Sequence, residues 1–442
     1  MEGIIHRIQG LSSKQDDWRS LVQQLDNNVD LLCQNRLAID ELYAQLNPES
    51  HAIGCVYLLY CKTKESEQCR SEEILIQQVR DLCMFGDSEQ LKIVRSKFCD
   101  VCRVFTEICR QSASRAMFGI NPLCIAISKV RPSPEHLTSV HADMLQLCLV
   151  GKVFKPAMSV VSQRLLYVTK DCVQPRDFLL YYYYGGMIQT ALKDYNKALD
   201  MFQLAFTMPC HALNEILVET YKKYVLVSLI VHGEVQPLPK YSANIVQRLI
   251  KSCCSEYNEI ANACSANKLD ELRNCVEKHK NLLTKNQNLG LAMQVIDSGS
   301  SRSIQRLTET FVTLSLTDIA QEVKLPDAES ARSQVLRMIE RGQIVATIDE
   351  EKGMVSFDTE PDKATSQQLL LRLSKQIQVA MELNEKLRQA DEEISANAAY
   401  LSKVSNQERQ LRWGDSEWAA TGAEEMMDVG EKPAGFNFGR PS

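Results

Sequence analysis

Apolar residues recur at three- and four-residue steps near the start of the chain: Trp18, Leu21, Val22, Leu25 and Val29, then Ile39, Leu42, Tyr43 and Leu46. That spacing lays one apolar stripe along a helix. Asn47-Pro48 ends it, because proline cannot continue the hydrogen-bond ladder. Further helical blocks are predicted at Ile53–Cys61 and Ile74–Met84. A long one runs from Ser88 through Val94, Phe98, Val101, Phe105 and Ile108, and Pro122, Pro132 and Pro134 interrupt the next stretch. Strand-like alternation is not expected before about residue 340. Helices separated by short breaks predict antiparallel hairpins stacked on one another.

Between about 136 and 265 the blocks acquire a repeat. His136–Val150 is answered by Pro156–Val168, Phe178–Leu192 by Tyr195–Phe206, and Leu213–Val231 by a return from Tyr241 onward. The period, about 37 to 41 residues, falls within the range of helical solenoids. In the middle pair Gly186, Tyr195, Ala198, Phe202 and Ala205 stand at tetratricopeptide spacing. Gly186 and Ala198 would let two helix backbones approach while Phe202 fills the groove beneath them. Gln189 stands where that repeat usually has an aromatic residue, so the pair is a relative of it.

The pattern changes at Ile304. Ile304–Thr310 reads as helix and Phe311–Ser315 as a short β-branched strand. Thr317 or Asp318 is placed to cap a helix carrying Ile319, Ala320 and Val323. Asp327 is placed to cap the next, with Val335, Leu336, Met338 and Ile339 on its inner side and Gly342 at its end. Ile344, Ala346 and Ile348 alternate, Glu350–Gly353 turns, and Val355 and Phe357 alternate again, which predicts a β-hairpin. Strand, two helices and a hairpin in so short a span make a winged helix. Beyond it Leu373, Ala380, Leu387, Ile394 and Leu401 recur every seven residues along one long helix, 370–401. A second line, Leu370, Ile377, Asn384, Asp391 and Ala398, turns polar in the middle. Such a seam suits pairing with another helix, its polar positions fixing register. Residues 406–442 lack periodicity and are expected to form a disordered tail.

Composition narrows the function. Apolar residues at 45% and charged residues at 24% describe a globular chain, and no stretch reaches the 18 or so apolar residues of a membrane span. The start lacks a secretory pattern, so the sixteen cysteines, most of them inside apolar helical stretches, are expected to be free thiols in a reducing compartment. Cys99-x-x-Cys102 has no second pair at zinc-finger distance and reads as a turn of core helix. The histidines include no His-Glu-x-x-His, and His136 and His141 suit packing or capping. Neither glycine-rich phosphate loop is present. A winged helix raises the question of DNA, yet residues 303–358 hold six basic and ten acidic side chains, net −4, and the wing reads Asp349-Glu350-Glu351-Lys352. A wing meant for phosphates would be basic. No catalytic, cofactor or metal site is expected.

Repeats leading into a winged helix and a C-terminal helix resemble the PCI family, shared by the proteasome lid, the COP-nine signalosome and translation initiation factor three. Leu137–Asp143, Cys148–Pro156, Tyr181–Met187, Glu219–Leu229, Leu238–Tyr241, Ile304–Thr308, Leu314–Leu316 and Gly353–Phe357 are similar to motifs of its signalosome branch, over about 136–400. The fold implied is mostly α: a right-handed, tetratricopeptide-like solenoid, then a winged-helix (PCI) subdomain and a long C-terminal helix. Its expected parts are N-terminal helical repeats (1–135), tetratricopeptide-like repeats (136–300), winged helix (301–360, within a PCI module of about 195–362), bundling helix (361–405) and tail (406–442). The resemblance implies a non-catalytic scaffold in a cytoplasmic and nuclear complex that removes Nedd8 from cullins, with other signalosome subunits as direct partners and cullin-RING ligases as indirect ones. A place in the proteasome lid, or a nucleic-acid-binding winged helix, is the alternative. Joining through winged-helix strands and helix bundling would use Val345, Val355 and Phe357 in the sheet and Leu373, Ile377, Leu387 and Ile394 in the bundle.

Overall fold

The computed structural model describes residues 6–8, 10, 15–34, 39–64, 72–163, 165–169, 171–210, 212–266, 268–350, 352–357, 366–403 and 405. Its first part is helical: α1 (Gln15–Asn27), α2 (Val29–Gln34), α3 (Ile39–Ala44), α4 (Ala52–Thr63), α5 (Glu72–Phe85), α6 (Ser88–Ile93), α7 (Arg95–Cys109) and α8 (Ala113–Val130). Helix α4 is apolar nearly all round and buried from Ala52 through Leu59, the pattern of a helix at the centre of a stack. Midway along it, Tyr57 ties it to the end of α1 by donating to the Asp26 carboxylate at 2.7 Å. Two expectations fail here. The block predicted from Ser88 to Ile108 breaks at Val94, whose φ of −100° and ψ of 26° leave the helical region. Pro122 does not interrupt a helix but lies buried inside α8. It forfeits one rung of the ladder, a loss of roughly 3 kcal/mol that the surrounding packing offsets.

Strands also occur earlier than expected. β1 (His136–Leu137) pairs in parallel with β2 (Tyr167–Val168), so the block beginning at His136 opens as strand and only then becomes α9 (Ser139–Val150). Its partner α10 (Lys155–Val161) is correspondingly short, because Tyr167 and Val168 belong to β2. The next hairpin follows the expected pattern: α11 (Pro175–Ala191) and α12 (Tyr195–Phe206), joined by Lys193 in the left-handed region and capped by Asp194. After α13 (Glu215–Val231) the chain turns at Gly233, where φ is +81°. It returns in pieces, through α14 (Asn244–Leu249), a 3₁₀ turn (Ser252–Cys254) and α15 (Ser255–Ser265). Helices α7, α9, α11 and α13 pack in succession, each also against its hairpin partner, which makes a stack of repeats.

Helices α16 (Leu269–Lys278), α17 (Lys280–Lys285) and α18 (Leu289–Thr310) lead to the winged helix. α18 runs unbroken through residue 300, so the boundary expected there falls inside a helix. Then come β3 (Thr313–Ser315), α19 (Leu316–Glu322), α20 (Ala328–Glu340), β4 (Ala346–Asp349) and β5 (Met354–Phe357). The sheet is antiparallel in the order β3-β5-β4, with Leu314 and Ile348 flanking Val355. Ser315, rather than Thr317 or Asp318, caps α19 by accepting the Asp318 amide at 3.0 Å. Asp327 sits at the start of α20 without a side-chain capping bond. Val335 and Met338 face inward, but Leu336 is exposed. The subdomain is bonded to the repeats: Gln334 donates to Ser301 at 2.9 Å, Arg273 to the Lys324 carbonyl at 2.8 Å, and Lys324 pairs with Asp270. Residues 1–358 form one compact unit and 359–442 a second.

In the second unit α21 (Ser366–Ala396) has 31 residues, a length of about 46 Å at 1.5 Å per residue. The helix expected to continue to 401 breaks at Asn397, whose side chain accepts the Ala399 amide at 2.9 Å and so starts a fresh turn. The expected tail, 406–442, lies outside the described residues.

Candidate functional site

The middle repeat is closed by two glycines. A Cβ at Gly186 would overlap the Phe202 ring, and one at Gly185 the Met201 methyl. The two helices therefore approach at a distance only glycine permits. Ala198, Phe202 and Ala205 are fully buried on the facing side, as their spacing predicted.

Leu137–Asp143 forms the joint between the N-terminal and middle repeats. The Thr138 amide donates to Nδ1 of His141 at 3.1 Å, which ties the side chain back over the start of α9. Burial pulls the His141 pKa down to about 4, so the ring is neutral. It stands edge-on to Tyr181 at 5.9 Å. Two residues on, burial pushes Asp143 up to about 7, against the opposing pull of Arg103. Arg103 itself is committed to Asp177 at 2.6 Å, and Asp177 also accepts the Gln174 amide at 3.0 Å. Both histidines thus serve structure: His136 meets the Ser133 hydroxyl at 2.7 Å and stacks on Tyr167. The buried carboxyl at 143 was not foreseen; an acid inside the apolar run 140–149 was its only sequence signal. Cys99 and Cys102 are both buried in α7, in the core turn their flanks predicted.

The three sheet residues separate. Val355 and Phe357 lie on β5, the central strand, and are 0% and 7% exposed. They pack into their own subdomain, so they are not at a sheet edge. Val345 is half-buried just ahead of β4, an outer strand. An outer strand offers one side for pairing with another chain. At the wing, Glu350 pairs with Arg332, which also meets Glu329 at 3.2 Å, and Lys352 lies 3.5 Å from Asp349. Arg332, a helix-borne cation that reaches the wing, is thereby committed to carboxylates.

Leu373, Ile377, Leu387 and Ile394 fall along one side of α21 and are 44%, 59%, 60% and 53% exposed. Soluble proteins rarely leave so long an apolar stripe uncovered without a partner. Among the described residues no group of His, Cys, Asp or Glu could hold a metal ion, and no helix is long and apolar enough to cross a membrane.

Stacked helical repeats that continue through one unbroken helix into a three-stranded winged helix define a PCI-type protein, and a PCI-domain model matches residues 276–359. The chain belongs to the COP9 signalosome complex subunit 3 family, whose N-terminal helical-repeat model matches residues 15–246. A relative in Drosophila melanogaster, named COP9 signalosome complex subunit 3, is 32% identical over 422 residues, covering 91% of this chain and 94% of its own. The protein of the same name in Arabidopsis thaliana is 34% identical over 419 residues, covering 94% and 96%.

Proposed function

We propose that this chain is a non-catalytic scaffold subunit of the signalosome, placed in the cytoplasm and nucleus, in the complex that removes Nedd8 from cullins of cullin-RING ligases. The observation carrying this reading is that relatives named as subunit 3 align with this chain over nearly its whole length, repeats and PCI domain together. The apolar seam of α21 supports a role in bundling with helices of other subunits. The outer strand β4, with Val345 just ahead of it, supports edge-to-edge joining of winged helices. Nothing in that role requires chemistry from this chain.

Reconstitution with the other subunits tests the proposal. Omitting this chain is expected to leave an incomplete assembly with reduced Nedd8 removal, while the chain alone releases no Nedd8 from a modified cullin. Cutting after Pro361 is expected to preserve the melting of the first unit and weaken incorporation. Full assembly and activity without the chain would end the scaffold reading.

A further inference from the structure

A cleft of about 780 Å³ opens where the repeats meet the winged helix. Its walls are the α11–α12 turn, the end of α13, one face of α18 and the segment after α20. Three cations line it: Lys193, Arg302 and Arg341. Among the described residues none of them has a carboxylate within ion-pair distance. Of the two acids present, Asp194 is taken by Lys197 at 2.6 Å, and Asp297 reaches none of the three. Arg302 is held in place by neutral groups. It donates to the Leu229 carbonyl at 2.6 Å and the Ser298 hydroxyl at 3.3 Å, and its guanidinium comes so close to Gly233 that a Cβ there would overlap it. A charge fixed without a counterion is an asset only if an anion arrives.

The rest of the lining narrows the ligand. Asn196, Gln294, Gln305 and Gln343 bring four amides to the same cleft. Gln294 is engaged at both ends, accepting from the Tyr195 hydroxyl at 2.7 Å and donating to the Gly290 carbonyl at 3.2 Å. Gln305 donates to the Gln343 carbonyl at 3.4 Å, so the amides open to a ligand are the Gln305 oxygen and the side chains of Asn196 and Gln343. An amide side chain both donates and accepts, which matches the N–H and C=O groups of an extended peptide. Free phosphate presents mainly acceptors and would leave the amide oxygens and Asp297 unmatched. Arginine, in turn, suits carboxylates bidentately. We propose that this cleft binds an acidic peptide segment of a partner protein, with Arg341 and Lys193 taking its carboxylates and the amides its backbone. Burial also lowers the pKa of Arg302, a sign that its charge is only partly hydrated and would gain from a carboxylate. None of the residues lining the cleft belongs to β4 or α21.

The test uses the full chain and a fluorescein-labelled peptide of alternating Glu and Ala, with the Gln-and-Ala peptide as control, followed by fluorescence anisotropy at low salt. The Glu peptide is expected to bind at least about tenfold tighter than the Gln peptide, and Arg341→Glu to weaken it by about tenfold or more. Lys193→Asn, chosen because asparagine tolerates the left-handed backbone at that position, is expected to weaken it less. Unchanged melting of both variants keeps the reading on the cleft. Equal binding of the two peptides would overturn the proposal, as would a Glu-peptide affinity that neither variant alters. Displacement of the Glu peptide by inorganic phosphate at equal concentration would overturn it too, because it would reveal a simple anion site. Retained binding in the chain cut after Pro361 would support the site whatever becomes of the helix.

Discussion

Helices α7 and α21 carry apolar residues at helical spacing with opposite outcomes. In α7, Phe98, Val101, Cys102, Phe105 and Ile108 are at most 4% exposed. In α21, Leu373, Ile377, Leu387 and Ile394 are at least 44% exposed. The first helix has α4, α5, α8 and α9 packed around it, whereas among the described residues of its own unit the second has no helix alongside. Periodicity decides which residues share a face; what covers that face depends on the neighbours. The difference makes the first unit a folding core and leaves the helix of the second with an exposed apolar face.

The contrast can be broken most strongly inside the repeats. Phe202→Ala should empty the groove under Gly186 and destabilise the first unit by roughly 3–5 kcal/mol, read by urea denaturation. A change under 1 kcal/mol would mean that the glycine pair does not rest on that ring.

A smaller effect is expected at the buried carboxyl. Asp143 is raised from 3.8 to about 7 in the folded chain. Its contribution is therefore full below the unfolded value and lost as pH climbs through about 7. His141 is lowered from 6.5 to about 4, so its contribution is full above 6.5 and lost as pH falls through about 4. The two slopes oppose each other over that window. Asp143→Asn should leave the histidine slope uncompensated, so that stability rises between pH 4 and 7 by on the order of 2–4 kcal/mol relative to the parent. Parallel pH profiles for variant and parent would place the charge of Asp143 elsewhere.

The remaining substitutions sharpen the contrast because their effect on folding should be small. Val345→Asp, on a half-buried position before β4, should cost the first unit about 1 kcal/mol or less and reduce co-purification with neighbouring subunits. Smallest of all should be the effect of Leu373→Asp, Leu387→Asp and Ile394→Asp combined. The first unit's melting is expected to stay within about 0.5 kcal/mol of the parent, as for exposed positions, while co-purification falls sharply. If melting of the first unit drops and association survives, the seam is a folding surface.

Much of the architecture was legible. The spacing of Gly186, Ala198 and Phe202 predicted a close helix pair, and Gly186 meets Phe202 as that spacing required. The alternation of Ile344 to Phe357 predicted the hairpin. Less legible were the joints. Thr138 with His141, and Ser315 with the Asp318 amide, are local bonds whose choice among neighbouring candidates depends on backbone direction. β1 and β2 have two residues each and are about 30 positions apart, too short to leave a period in the sequence.

What the sequence determined by itself was the order of elements and the face each presents, because helix and hairpin periods are written residue by residue. The tertiary structure decided which faces stay available. Val355 and Phe357 alternate like any strand pair, yet the order β3-β5-β4 makes theirs the central strand, while β4 becomes an edge. The cleft between repeats and winged helix likewise has no local signature: Lys193, Arg302 and Arg341 come from the α11–α12 turn, from α18 and from the segment after α20, and line one cleft only once these elements pack together. Strand order and converging charge are long-range facts, and a one-dimensional pattern records neither until packing brings distant segments together.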